Sequence, residues 1–318
     1  MSVSETIQQP AALTNRKLKP LRWVRARESV IKSGLLSATL FSILVTVSIV
    51  GLLFRETVRF FQFDRVTVSD FLTGTTWSPT LGAGGQFGIW PLICGTLLIA
   101  GIAMLVALPL GLITAIFLSE YAPRKLRNVL KPVLEVLAGV PTVVYGFFAL
   151  TFITPFLQST FGIQLEYFNA LSAGIAVGIL CIPTVSSLSE DALQAVPRRL
   201  REAAYGLGCT KFDVATKVVV PAALSGIISA FLLAIARAVG ETMIVSIAAG
   251  ATPRLTLDPC IEIQTMTGYI TNTAKGDVSN FGIEYFSIYA VAFTLFIMTL
   301  GVTLIGNLIR LKFQEAYE

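Results

Sequence analysis

Long apolar runs dominate this 318-residue chain, and polar segments separate them. A helix needs about 20 apolar residues to cross the hydrocarbon core of a bilayer. Six runs reach or approach that length, and the fourth is the shortest: about 34–54, 90–118, 133–156, 169–186, 222–250 and 287–309. A membrane β-barrel would instead show short segments of alternating polarity. The pattern therefore predicts an all-α integral membrane protein with six transmembrane helices.

Composition agrees with a membrane location. Hydrophobic residues make up 54% of the chain and charged residues only 14%, whereas about a quarter of the residues in a soluble protein are charged. The chain contains no His, and its four Cys are scattered without a metal-ligand spacing or a disulfide framework. We therefore expect no metal site, no cofactor and no catalytic residue.

Basic residues are concentrated in alternate polar segments. With the N-terminus in the cytoplasm, 18 of the 24 Lys and Arg residues fall in cytoplasmic segments and five in outer loops. Lys and Arg near helix ends usually remain in the cytoplasm, so we expect both termini on that side of the bilayer. The net charge of +5 follows from this bias, and it indicates no nucleic-acid partner.

Polar segments also set the predicted domain boundaries. Residues 1–33 form a basic cytoplasmic tail, and residues 34–318 form one transmembrane domain. Two outer loops, at about 55–89 and 251–286, are longer than the usual helix connections of a few residues. Small folded pieces, a docking surface and plain irregular chain all remain open for these loops.

The polar segment at about 187–221 is typical of a helical hairpin. A hydroxyl residue followed three residues later by an acid can cap a helix N-terminus. Two pairs have this spacing: Ser187 with Glu190, and Thr210 with Asp213. Pro197 suits the first turn of a helix, and Gly208 suits the reversal between the two arms. The second arm is predicted to stop at Pro221.

The same segment contains a series of residues at defined spacing: Glu202, Ala203, Ala204, Gly208, Val218 and Pro221. This series resembles the EAA loop of ABC importer permeases, which reads Glu-Ala-Ala, three residues, Gly, nine residues, then Ile-x-Leu-Pro. Val218 and Val220 are conservative departures from that pattern. The resemblance implies a type I importer permease fold whose loop fits a cleft of an ATP-hydrolysing subunit, with Glu202 at the contact. An ordinary surface hairpin is the alternative.

Arg237 and Glu241 are the charged residues of the fifth apolar run. A charge at the centre of a membrane helix costs about 2.5–3.5 kcal/mol on insertion scales, so it normally faces protein or a water-filled cavity. Their four-residue spacing places both side chains on one face of a continuous helix. The pair is either a structural ion pair or an anion site on a transport path, in which the guanidinium fork binds an oxyanion.

In the second interpretation, Glu241 orients Arg237 when the path is empty. We also hypothesise that Glu241 accepts a hydrogen bond from the P–OH group of protonated phosphate. Sulfate is fully deprotonated at neutral pH and has no such group. A Glu241→Gln variant that transports phosphate at the normal rate would contradict this hypothesis.

Four strings in the chain resemble the phosphate-importer permeases. They are Ala236 to Met243, Glu120-Tyr121-Ala122-Pro123, Leu137 to Gly146, and Gln264 to Thr267. The first is similar to the PstC-type subunit, because the sister subunit usually has Ala-Pro where this chain has Met243. The resemblance covers nearly all of residues 34–318.

The resemblance implies a permease subunit of an ATP-driven phosphate importer in the bacterial inner membrane. Such a subunit forms half of the path, and its implied partners are a second homologous permease, two cytoplasmic ATP-binding subunits and a periplasmic or extracellular phosphate-binding protein. The sequence has no Gly-x-x-x-x-Gly-Lys-Ser/Thr phosphate loop, so we expect the chain not to be an enzyme. The alternatives are the sister subunit, a permease for another oxyanion, and a secondary transporter or channel.

Overall fold

The structure is a computed structural model that describes residues 21–64, 66–79, 85–276 and 282–312. The chain divides into two compact units, one ending at Leu52 and the other beginning at Leu53. Residues 1–20 of the predicted basic tail lie outside the described residues. The rest of that tail, from residue 21, belongs to the first helix.

Helices account for nearly all of the regular structure. The first seven are α1 Leu21–Phe60, α2 Val68–Thr73, α3 Trp90–Ile116, α4 Arg124–Ala138, α5 Thr142–Phe148, α6 Thr154–Phe161 and α7 Ala170–Ala195. The others are α8 Arg198–Gly206, α9 Lys211–Asp213, α10 Val220–Ala222, α11 Leu224–Val239, α12 Met243–Ala248, α13 Met266–Lys275 and α14 Ile283–Lys312. In the part of the chain that the structure describes, π-helical turns continue or join helices at Phe117–Tyr121, Ala149–Ile153 and Val214–Val219. The prediction of an all-α protein is confirmed.

Among the described residues, five helical stretches are long and apolar enough to cross a membrane. They comprise residues 25–60, 90–121, 142–161, 170–195 and 283–312. A further candidate is the helix that ends at Ala222 together with α11, which are bent by 72° relative to each other. The bend follows Pro221, whose ring and missing N–H disfavour a regular helix. Counting the bent pair as one span gives up to six.

The third predicted run, 133–156, has the wrong boundary. Residues 133–138 belong to α4, an amphipathic helix that carries four basic residues, and the span itself begins at Thr142. Pro141 separates the two helices, because proline disfavours helical backbone at the residue before it. The hydrophobicity of the end of α4 made the two helices look like one run.

The fifth predicted run, 222–250, is not one helix. α11 ends at Val239, and α12 begins at Met243. Gly240 occupies the interruption, where glycine's low helix propensity favours the break. The prediction that Arg237 and Glu241 share one helical face is therefore wrong, because Glu241 follows the end of α11.

The first capping pair of the predicted hairpin is also wrong. α7 runs without a break through Ser187 to Ala195, so the hairpin is shorter than the predicted 187–221. Glu190 is fully buried, and its carboxylate contacts Arg127 Nε at 2.6 Å and Lys131 Nζ at 3.0 Å. It joins α7 to α4 and does not cap a new helix.

The second capping pair and the turn are confirmed. Thr210 Oγ1 accepts a hydrogen bond from the backbone N–H of Asp213 at 3.2 Å. Gly208 has a φ of +83° between α8 and α9, a left-handed conformation that costs glycine little. Pro197 immediately precedes α8, as its position in the sequence suggested.

Both long loops contain folded pieces. The first holds α2 and the antiparallel strands β1 Trp77–Ser78 and β2 Gln86–Phe87, and the second holds α13. An edge-to-face aromatic contact joins the two loops, because the centre of the Trp77 ring lies 5.0 Å from that of Tyr269. Within the first loop, the Trp77 ring also lies 5.9 Å from that of Phe87. These contacts bury a separate aromatic core at one end of the second unit.

Glycines allow α3 and α7 to pack at very short range. A Cβ atom at Gly111 would lie 2.6 Å from Val185, and one at Gly174 would lie 2.7 Å from Ile102. Such distances are shorter than real Cβ contacts, so these positions accept only glycine without a shift of one helix. The two helices interlock along most of their length, which makes them the central element of the second unit.

Candidate functional site

Arg237 lies in the last turn of α11 and is half-buried. Its Nη1 donates a hydrogen bond to Thr184 Oγ1 of α7 at 3.0 Å. About one turn before Thr184 in α7, Cys181 Sγ lies 3.9 Å from the carbonyl oxygen of Ala234 in α11. Pro183 has no N–H and therefore leaves one carbonyl of α7 without its helical partner. Polar groups of both helices thus meet within an otherwise apolar contact.

Glu241 is 9% exposed and lies just after α11. Its Oε1 accepts hydrogen bonds from the backbone N–H groups of Met243 at 3.2 Å and Ile244 at 3.3 Å. These are unpaired donors at the start of α12, and a carboxylate is favourable at a helix N-terminus. Thr184, and not Glu241, is therefore the partner of Arg237.

Buried hydroxyl groups surround Glu241 and the start of α13. Thr267 Oγ1 donates to the carbonyl oxygen of Glu241 at 2.6 Å, and Thr265 Oγ1 accepts from the N–H of Gly268 at 3.0 Å. Thr96 of α3 accepts from the N–H of Met266 at 3.0 Å. Thr96 was not singled out from the sequence, because small hydroxyl residues are common in apolar helices and no pattern distinguishes this one.

The guanidinium of Arg237 retains binding capacity. Among the described residues, only Nη1 has a hydrogen-bond partner, and that partner is a neutral hydroxyl. Five N–H donors in a planar fork match the oxygens of a tetrahedral anion. The arrangement can therefore bind an oxyanion in a low-dielectric setting, with Thr184 fixing the orientation of the arginine.

The hairpin, defined here as residues 196–223, presents an outward face. Glu202 and Ala203 are exposed at its first arm, as the resemblance to the EAA loop requires. At the tip, Leu207 is 85% exposed and Phe212 is 66% exposed. Large exposed apolar side chains beside a charged residue are typical of a protein interaction surface.

The opposite face of the hairpin is buried. Ala204 packs in a cluster with Val214 and Val219 of the second arm and with Ala115 and Leu193 of α3 and α7. The second arm ends at Ala222, one residue after the predicted stop at Pro221. Ala204 therefore supports the hairpin from inside, while its neighbours Glu202 and Ala203 face outward.

The second arm is stabilised locally at its start. Lys217 Nζ lies 2.6 Å from Asp213 Oδ1, and the two residues are four positions apart in the sequence. The hydrogen bond to Lys217, followed by that to Thr210, lowers the pKa of the Asp213 carboxyl group. Both side chains of the ion pair are exposed enough to be screened by solvent, so we expect it to contribute little to stability.

Sequence reasoning missed two buried carboxylates and one buried arginine. Glu190 binds the basic side chains of α4, and Glu120 binds Arg201 Nη2 at 3.0 Å. Arg201 lies in the polar sequence of the hairpin, but its side chain is only 16% exposed. Glu120 and Glu190 lie near the ends of apolar runs, and Arg201 lies within a polar segment. Charged side chains usually reach water at such positions, so the sequence carried no signal of their burial.

Apolar spans, a half-buried arginine within their contacts and a polar hairpin with an exposed Glu202 are together typical of a membrane transport permease. The family of binding-protein-dependent transport system inner membrane components matches residues 107–314. The chain belongs to this family and is a multi-pass inner-membrane protein.

Two relatives extend over most of the chain. A probable ABC transporter permease, YqgH of Bacillus subtilis (strain 168), is 35% identical over 284 residues, which cover 88% of each chain. The phosphate transport system permease PstC of Mesorhizobium japonicum is 34% identical over 247 residues, which cover 72% of this chain and 74% of the relative.

A solved structure has the same fold. A bacterial ABC transporter involved in the import of the acidic polysaccharide alginate contains a chain that superposes with a TM-score of 0.63 at 15% identity. The match covers 92% of this chain and all of that chain. It supports the fold and carries no information about the substrate.

Proposed function

We propose that this chain is the PstC-type membrane subunit of an ATP-driven phosphate importer. The observation that carries the proposal is the guanidinium of Arg237, half-buried at the α7–α11 contact and hydrogen-bonded only to Thr184 among the described residues. Its charge is available to an oxyanion that passes along the helical core. Relatives that are phosphate transport permeases support phosphate as that oxyanion.

Glu241 contributes a second polar group to the same path. One carboxylate oxygen is held by the N–H groups of Met243 and Ile244, which orients the other oxygen. That oxygen can accept a hydrogen bond from the P–OH group of protonated phosphate, which would distinguish phosphate from sulfate. Loss of phosphate-over-sulfate preference in Glu241→Gln is the expected result.

The hairpin couples the path to ATP hydrolysis in a partner chain. Glu202, Ala203 and the turn at Gly208 form the surface that enters a cleft of an ATP-binding subunit. The full importer would contain two ATP-binding subunits, a second homologous permease and an external phosphate-binding protein. Both termini and the hairpin then lie on the cytoplasmic side, which agrees with the distribution of Lys and Arg.

Phosphate uptake in depleted cells tests the proposal. Cells lacking this chain are complemented with wild type, Arg237→Gln or Arg237→Lys, and membrane insertion and copurification of the ATPase are measured for each. We expect Arg237→Gln to abolish uptake with the ATPase still bound. Arg237→Lys should retain part of the phosphate uptake, because lysine keeps the positive charge but lacks the planar fork of donors. Normal uptake by Arg237→Gln would contradict an oxyanion site at this residue.

A second pair of variants tests the docking surface. Glu202→Ala should lose the ATPase or its stimulation, whereas Glu135→Ala removes an exposed carboxylate of α4, outside the hairpin, and should retain both. If wild type restores no phosphate uptake but the ATPase copurifies, the chain is a permease for another oxyanion. Absence of any copurifying ATPase would favour a secondary transporter or channel.

A further inference from the structure

Both arms of the hairpin contact the π-helical turn Phe117–Tyr121 at the end of α3. From the first arm, Arg201 donates to Glu120, with Nη2 at 3.0 Å from Oε1 and Nε at 3.4 Å from Oε2. From the second arm, Lys211 Nζ lies 4.9 Å from the centre of the Tyr121 ring. The side chains of Arg201 and Glu120 are only 16% and 7% exposed, so this ion pair lies inside the protein and not at the docking face.

Arg201 also holds the end of α7. Its Nη1 donates to the carbonyl oxygen of Val196 at 2.6 Å, and its Nη2 donates to that of Leu193 at 2.7 Å. The last carbonyls of a helix have no partner within it, and a cation is favourable there. One guanidinium therefore joins α8 to the ends of both α3 and α7. We name Arg201, Glu120 and the carbonyls of Leu193 and Val196 the Arg201 clamp.

The two helices that the clamp holds cannot slide easily past each other. At Gly178, a Cβ atom would lie 2.8 Å from Val106, and the close contacts at Gly111 and Gly174 extend the same interlock along α7. Tightly packed helices move together and do not deform continuously. Because α7 also carries Thr184, a displacement of its end reaches the hydrogen bond to Arg237.

We infer that the Arg201 clamp transmits movement of the hairpin to the α3–α7 pair and, through Thr184, to Arg237. The inference rests on the proposed function, in which Glu202 receives that movement from an ATPase. Glu202 and Arg201 are neighbours in α8, and the first is exposed while the second is directed inward. Arg201 and Glu120 are positioning residues in this scheme, since they act through other groups.

The first test measures coupling in the assembled transporter, reconstituted with its ATPase and binding protein in liposomes. The quantity is phosphate transported per ATP hydrolysed for wild type, Arg201→Gln and Glu120→Gln. We expect both variants to assemble and to lower this ratio at least about fivefold, the lower end of typical coupling between sites. Lys217→Gln and Asp213→Asn, which break an exposed ion pair of the same hairpin, should retain the wild-type ratio.

A purely structural role would give a different result. The variants would then reduce the amount of assembled transporter without changing the phosphate transported per ATP, and this outcome would overturn the inference. If the Arg201→Gln variant does not assemble, the test rests on the Glu120→Gln variant alone. We expect that variant to assemble, because glutamine keeps the volume of the side chain and one acceptor oxygen. If the wild-type transporter does not transport phosphate, the proposed substrate is wrong. The role of the Arg201 clamp is then tested by the spin-label distance described below, which does not depend on the substrate.

The second test does not depend on the substrate. Spin labels are placed at Leu207, 85% exposed in the hairpin, and Leu105, 78% exposed in α3, in a background without the native cysteines. When a non-hydrolysable ATP analogue is added to the complex, the distance between the labels should stay constant in wild type. It should change in Arg201→Gln and Glu120→Gln, because the hairpin then moves without α3. A constant distance in these variants would overturn the inference.

Discussion

Replacing Glu190 by Gln tests the buried junction between α4 and α7. The Glu190 side chain is 0% exposed, and its two oxygens contact Arg127 at 2.6 Å and Lys131 at 3.0 Å. Burial disfavours the charged form of Lys131, but hydrogen bonds to Asp191 and Glu190 outweigh this effect and raise its pKa. The substitution keeps the shape of the side chain, removes its charge and replaces one acceptor oxygen by an N–H donor group. The change in stability therefore reports the ion cluster.

The expected magnitude follows from burial. Removing one partner from a buried ion pair costs about 3–5 kcal/mol, since the other charge stays desolvated. Here the two cations are 32% and 26% exposed, so water can replace part of the lost interaction. We therefore expect a loss of about 2 kcal/mol in the free energy of unfolding. At about 2–4 °C per kcal/mol, the apparent melting temperature should fall by about 4–8 °C.

The neighbouring residue provides the control. Asp191 contacts the same Lys131 at 2.7 Å, but its side chain is 59% exposed. An exposed ion pair contributes about 0–1 kcal/mol, so Asp191→Asn should change the melting temperature of the purified subunit very little. Thermal unfolding in detergent, followed for both variants under one condition, measures the difference. Equal effects of the two substitutions, or no effect of Glu190→Gln, would refute the reasoning from burial.

Three further substitutions have defined outcomes. Gly178→Ala forces a Cβ within 2.8 Å of Val106 and should cost about 1–3 kcal/mol as overpacking; an unchanged melting temperature would contradict the interlock. Gly208→Ala places a side chain at a φ of +83° and should cost about 1–2 kcal/mol, visible as faster proteolysis of the hairpin. Thr184→Val removes the acceptor of Arg237 and should raise the KM for phosphate uptake severalfold at unchanged assembly; an unchanged KM would show that Thr184 does not orient the arginine.

The sequence predicted the elements whose physics is local. Apolar length identified the membrane-spanning stretches, because the bilayer sets one requirement for each helix separately. The turn at Gly208 and the cap at Thr210 were likewise predictable, since each depends on a few adjacent residues. Glu202 was singled out as the proposed docking residue because it belongs to a series of residues at defined spacing.

Tertiary contacts decided the features that sequence reasoning missed. Ser187 and Glu190 have the spacing of a cap, but the cations of α4 draw Glu190 into an ion cluster and α7 continues past both residues. Arg201 lies between exposed neighbours in sequence, yet the carbonyls at the end of α7 and Glu120 turn it inward. Long-range partners of this kind leave no periodic pattern in the chain.

The separation of Arg237 from Glu241 bears directly on anion transport. If Arg237 and Glu241 were paired on one helical face, a passing anion would have to displace the Glu241 carboxylate from the Arg237 guanidinium. That carboxylate would compete strongly, because its attachment to the same helix gives it a high effective concentration. The break after Val239 removes that competitor, because the N–H groups at the start of α12 hold Glu241. Thr184 orients the guanidinium without neutralising it. A positive charge that is half-buried and has no acidic partner among the described residues favours the entry of an anion. In the proposed function, the helix break that the sequence concealed therefore makes Arg237 suitable for an oxyanion path.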